Sequence, residues 1–202
     1  MHATIRSVAL RSLAVLALAQ AAGAASCARS DRRPPSKAGF DVGDALPPLG
    51  IEGARDRDGN GRIDGDEWGP FQDGEAVATT RDLPEEARYL ILHTVMAWCG
   101  HCVSETADEQ KLVRESHGRI RVVQLVVQDE YGSAPTHALL ERWVRDRRSA
   151  LPTGIEQSGV LAKRFSRAAT FLLVDLRDHR RVLFVGEGPR GFEAATAQAQ
   201  AG

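Results

Sequence analysis

Two cysteines three residues apart, in Trp98-Cys99-Gly100-His101-Cys102, stand where an apolar run from Tyr89 to Ala97 gives way to a polar, helix-prone segment. A strand that feeds a helix through such a pair places the first sulfur at the helix N-terminus. Partial positive charge and free N–H groups there favour a thiolate, the attacking species in disulfide exchange. His101 adds a possible cation beside the pair. The spacing therefore points to a redox-active dithiol, with Cys99 as the more exposed nucleophile and Cys102 as the resolving thiol. Half of a zinc site is the competing reading. It needs two further ligands, and the sequence holds one other cysteine, Cys27, and no His-x-His or His-x-x-x-His pair. A structural disulfide closing so short a loop would constrain the unfolded chain little.

Strand, Trp-Cys-Gly-His-Cys and helix together resemble the thioredoxin-like superfamily, most closely its bacterial extracytoplasmic redoxin and TlpA-like branch. The Gly-His pair between the cysteines is also similar to that of protein disulfide isomerases. The resemblance spans roughly Val42 to Gly191. It implies an α/β thioredoxin-like fold, a central mixed β-sheet flanked by helices, and exchange with protein thiols or disulfides as partners. The candidate catalytic residues are Cys99, Cys102, His101, Trp98 and His93. His93 interrupts the apolar run six residues before Cys99. In thioredoxins that position holds a buried acid that shuttles a proton to the resolving cysteine; His93 either does similar work here, as the resemblance implies, or is a packed, hydrogen-bonded histidine of the strand. The sequence departs from the family at one point. Ala168-Ala169-Thr170 stands where a cis-proline is usual, and a cis bond to a non-proline residue costs about 2.5–4 kcal/mol. A trans or reshaped loop is expected, which bears on substrate binding.

The 202 residues suffice for one domain with a core. Residues 1–26 read as a secretory signal: Arg6 and Arg11 precede a short apolar stretch ending in small residues. Without them, 24 basic residues face 27 acidic ones, a charge of -3 that argues against a nucleic-acid partner. Ala24-Ala25-Ser26-Cys27 resembles a bacterial lipobox, although Ala24 replaces the usual leucine. Cys27 is then a lipidated residue that attaches the protein to a membrane, and residues 27–40 a flexible linker to a domain over residues 41–202. An exported, periplasmic lipoprotein is expected.

Residues 56–67, Asp-Arg-Asp-Gly-Asn-Gly-Arg-Ile-Asp-Gly-Asp-Glu, match the twelve-residue calcium loop of EF-hands. Asp56, Asp58, Asn60, the Arg62 carbonyl, Asp64 and Glu67 occupy the ligand positions, and Gly61 the sharp turn. Without a cation these carboxylates would repel one another. The helix pair of an EF-hand is missing: Gly50 to Arg55 reads as glycine-broken, and Gly69-Pro70 stops any exiting helix. The loop is expected as an insertion near an N-terminal hairpin, with calcium in a structural role and no organic cofactor.

Further along, a strand is expected at 75–80, a turn at 82–86, a helix from Cys99 to about His117 with Val103, Leu112 and Val113 among its apolar positions, and a strand over 121–128. A helix over 136–148, a loop over 152–158 and a short helix over 160–165 follow, then a hairpin of strands at 170–176 and 181–185 and a weak last helix at 192–199. The leading function is an extracytoplasmic thiol–disulfide oxidoreductase. A non-catalytic, calcium-stabilised lipoprotein binding module and a copper handler using Cys99, Cys102 and His101 are the alternatives. A peroxidase lacks support, because the residues before Cys99 carry no Pro-x-x-x-Thr/Ser-x-x-Cys pattern.

Overall fold

The structure, a computed structural model, describes residues 37–55, 63, 67–71 and 87–202. The signal, Cys27 and most of the linker lie outside these residues. So do the loop ligands Asp56, Asp58, Asn60, Arg62 and Asp64, the strand expected at 75–80 and the turn at 82–86.

The central strands form because their residues are almost continuously apolar, as a strand covered on both faces requires. β3 (Tyr89–Met96) is buried at every position, and β4 (Ile120–Gln128) at all but Arg121 and Gln128. They pair in parallel around the crossover helix α1 (Gly100–Glu115). Outside them, β6 (Thr170–Asp175) runs antiparallel to β3, and β7 (Arg181–Glu187) antiparallel to β6. On the other side β5 (Thr153–Glu156) joins β4 in parallel, and β1 (Ile51–Ala54) and β2 (Trp68–Phe71) continue the sheet antiparallel. The order is β2-β1-β5-β4-β3-β6-β7, a mixed seven-stranded sheet.

Alternation along β3 divides its side chains between two layers. Leu90, Leu92 and Met96 pack with Leu161 and Phe165 of α3 (Val160–Phe165) on one face. Tyr89 and Ile91 meet Leu112 of α1 and Ala195 and Ala199 of α4 (Gly188–Ala201) on the other. Val95 packs there with Cys102 and with Leu139, Leu140 and Trp143 of α2 (His137–Arg147). The Thr136 hydroxyl caps α2 by accepting from the Leu139 N–H at 3.2 Å.

Two expectations are corrected. Residues 152–158 are not a loop throughout: β5 forms there because β1 and β4 supply backbone partners on both sides of a segment too short to signal itself. No helix forms over Gly50 to Arg55, as its glycines imply; Ile51–Ala54 is a strand instead. Gly53 lies within β1, where a Cβ would come 2.1 Å from the Thr153 carbonyl oxygen, so glycine permits the strand contact. Val103 does not face the core but is 46% exposed. The segment matching a calcium loop joins β1 to β2, with Ala54 opposite Trp68 and Glu67 buried at its end. Strands rather than helices therefore flank it. The peptide bonds at Ala168-Ala169-Thr170 are trans, and the Ala169 carbonyl accepts from the Gly188 N–H at 2.9 Å.

Candidate functional site

The chain leaves β3 through a turn in which the Cys99 N–H donates to the Met96 carbonyl at 2.9 Å, and α1 starts at once. Cys99 is the N-cap residue, extended at φ -81° and ψ 102°, and its Sγ accepts from the Cys102 N–H at 3.2 Å. A side-chain acceptor at this position satisfies one of the free donors of the helix terminus. A disulfide joins Cys99 to Cys102. Cys99 is partly buried, whereas Cys102 is fully buried against Val95, Val126 and Ala169. The two sulfurs thus differ in access in the sense expected.

Trp98 is 49% exposed beside the pair, and its Nε1 donates to Gln128 Oε1 at 3.3 Å. His101 is exposed on the first turn of α1. His93 is fully buried on the face of β3 that meets α1. It stacks on Phe171 with ring centroids 3.9 Å apart. A ring nitrogen of His93, a Glu105 carboxylate oxygen and the Cys102 Sγ lie within 4.8 Å of one another. The structure therefore places the disulfide between buried His93 on its inner side and exposed Trp98 and His101 on the solvent side.

The groups that sequence reasoning missed lie on the inward face of α1. Cys102, Glu105, Thr106, Glu109 and Leu112 are its buried residues, spaced as one helical stripe. Two carboxylates occupy positions that usually carry aliphatic side chains. Glu109 Oε1 lies 2.6 Å from His93 Nδ1, and Glu105 Oε2 lies 3.5 Å from His93 Nε2. Gln124 on β4 donates from Nε2 to Glu109 Oε2 at 2.5 Å and to Thr106 Oγ1 at 2.9 Å. Its own Oε1 accepts from Trp143 Nε1 at 3.3 Å. The Thr106 hydroxyl donates to the Cys102 carbonyl at 2.9 Å. A buried polar chain thus runs from Cys102 across α1, β3 and β4 to α2. Burial pushes the Glu105 carboxyl above its ordinary range, the Glu109 charge adds to this, and His93 opposes it. A signal existed in the sequence: His93 and Gln124 are the polar interruptions of two apolar strands, and the register places them opposite each other.

No protein-family model matches the chain, and no curated protein matches it. Solved structures do. A protein of Chlorobium tepidum assigned as a thiol:disulfide interchange protein DsbE aligns over 81% of this chain and 98% of its own, at 16% identity and a TM-score of 0.52. The thioredoxin domain of a thiol-disulfide oxidoreductase from Bacteroides vulgatus aligns over 80% and 99%, at 13% identity and a TM-score of 0.50. A thiol-disulfide oxidoreductase from Bacteroides fragilis aligns over 77% and 98%, at 11% identity and a TM-score of 0.50. The fold of this chain is the thioredoxin-like fold that these proteins share.

Proposed function

We propose that the chain is a thiol–disulfide oxidoreductase acting on protein substrates outside the cytoplasm. One observation carries the reading: the sulfur of Cys99 caps α1 and accepts the Cys102 N–H at 3.2 Å, while Cys102 is buried behind it. A thiolate at Cys99 is stabilised there by the helix terminus and by that donor. In the reducing direction Cys99 attacks a substrate disulfide. A mixed disulfide forms, and one substrate sulfur leaves as a thiolate. Cys102 then attacks the Cys99 sulfur and the second substrate sulfur leaves as a thiolate; the substrate has gained two electrons, and the pair, oxidised by two, is left as the Cys99–Cys102 disulfide. The oxidising direction is the same sequence reversed. His93 and Glu105 line the buried side of Cys102, and exposed Trp98 borders the face that a substrate chain approaches.

The test is the reduction potential of the pair in glutathione buffers, together with insulin disulfide turnover. A potential between roughly -270 and -120 mV, the span of dithiol oxidoreductases, is expected. A potential far below about -300 mV would mark a structural bond and favour the binding-module reading. Cys99→Ser is expected to reduce turnover to background, and Cys102→Ser to accumulate a mixed disulfide visible by non-reducing electrophoresis. Turnover unchanged in Cys99→Ser would sink the assignment.

Two further parts of the proposal concern segments beyond the described residues. Calcium binds the loop over 56–67 in a structural role, supported by the ligand pattern and by the position of the loop between paired strands, with Glu67 buried at its end. Cys27 carries a lipid anchor, supported by the signal-like residues before it. Among the described residues no helix is long and apolar enough to cross a membrane.

A further inference from the structure

The polar chain behind Cys102 is incompletely satisfied. His93 Nε2 and both carboxylate oxygens of Glu105 are buried without a hydrogen bond, whereas His93 Nδ1 and Glu109 Oε1 face each other at 2.6 Å. His93 and Glu109 are 0% exposed and Glu105 4%. Polar groups so deep in a core cost free energy unless something engages them. A proton shared among them is one occupant. A cation is the other, and the geometry favours it once the disulfide opens.

We propose that the reduced protein binds one zinc ion through Cys99 Sγ, Cys102 Sγ, His93 Nε2 and a Glu105 oxygen. Zinc accepts thiolate, imidazole and carboxylate ligands together and takes four of them in a tetrahedron. Two nitrogen or oxygen ligands at zinc distances of about 2.0–2.2 Å stand about 3.4 Å apart, and His93 Nε2 lies 3.5 Å from Glu105 Oε2. Cys102 Sγ lies within 4.8 Å of a His93 ring nitrogen and a Glu105 carboxylate oxygen. It needs to close by about 1 Å to reach a zinc–sulfur bond of about 2.3 Å, and breaking its bond to Cys99 frees it to rotate. Glu109 supplies the outer support. Its Oε1 faces His93 Nδ1 at 2.6 Å, and Gln124 holds its other oxygen. A carboxylate on the second ring nitrogen is the arrangement that orients zinc-bound histidines and raises their basicity. The carboxylate ligand argues for zinc over copper(I), which softer all-sulfur sites select. Binding displaces whatever protons the two thiols, His93 and Glu105 hold at the ligating atoms, and no electron moves.

The site exists only in the dithiol, because the disulfide ties up both sulfurs. Zinc bound there withholds Cys99 and Cys102 from exchange and makes the protein a zinc-regulated redox switch. The inference rests on an openable Cys99–Cys102 bond, and it is read independently of turnover.

The experiment titrates zinc into full-length protein, reduced or oxidised, against a chromophoric chelator. Excess calcium keeps zinc from the 56–67 loop, and a Cys27→Ser chain run in parallel removes the third thiol. The reduced protein is expected to bind one equivalent that the oxidised protein does not. Glu105→Gln, nearly isosteric, and His93→Asn should each weaken it by about tenfold or more, with folding checked by circular dichroism. Cobalt(II) in place of zinc should show a thiolate-to-metal charge-transfer band. Because zinc stabilises the dithiol, the potential should rise by about 30 mV for each tenfold increase in free zinc above the dissociation constant. Equal binding by the oxidised protein would overturn the proposal. So would unchanged affinity in folded Glu105→Gln, which keeps the test decisive if His93→Asn does not fold. Turnover in zinc-free buffer tests the oxidoreductase reading separately, so either can fail alone.

Discussion

Gly53 controls how closely β1 approaches β5. Any side chain there meets the Thr153 carbonyl at 2.1 Å and the Gly154 Cα at 2.5 Å, both backbone atoms that cannot swing aside. Gly53→Ala is expected to lower stability by about 3 kcal/mol, the upper end of overpacking costs, in urea denaturation of the oxidised protein. A loss below about 0.5 kcal/mol would show that the strand contact is dispensable. At the same scale the two cysteines were legible from their spacing, because a sulfur at a helix start has a chemical consequence that spacing alone reports. Glu105 and Glu109 were not. Acidic residues on a helix normally face water, and only the tertiary meeting of α1 with His93 and Gln124 turns them inward.

Elements with strong local patterns were legible as well. β3, β4 and α2 carry apolar runs or stripes that decide their type before any packing. α3 was placed at its observed bounds, Val160–Phe165. β5 was not legible, since Thr153–Glu156 is four residues with a single large aliphatic side chain, and its strand character comes from its neighbours. The hairpin of β1 and β2 offers a prediction of its own. Ala54 and Trp68 pair across it, so residues 56–66 can be replaced by Asn-Gly, the residue pair that closes two-residue hairpins. The variant should keep the far-ultraviolet spectrum of the parent and lose its response to calcium. In the parent, 10 mM calcium acting on a site with a dissociation constant of about 10⁻⁴–10⁻³ M should add about 1.4–2.7 kcal/mol of stability. No calcium response in the parent would remove the loop from the account.

Across the whole molecule, the sheet joins strands that are near in the chain with strands that are far apart. Tyr89 pairs with Ile120, whereas Ile51 pairs with Glu156. Pairings between distant residues require closure of a longer chain and form more slowly. In the folded sheet β3, β4 and β6 are the buried centre and β1 and β2 one edge, so native-state hydrogen exchange should find β3, β4 and β6 protected to the global limit, with β1 and β2 opening at lower free energy. Equal protection in both groups would refute this division. The mixed sheet and its helical layers were implied by the resemblance around the cysteine pair, but the attachment of β1 to β5 was not legible, because nothing local in either segment names the other. That attachment also sets a clock during synthesis. Ile51 leaves the ribosome well before Glu156 is made, a wait on the order of 5–20 s at ordinary elongation rates. Until then the N-terminal hairpin has no strand to join, and its apolar residues are open to whatever protein meets the growing chain first.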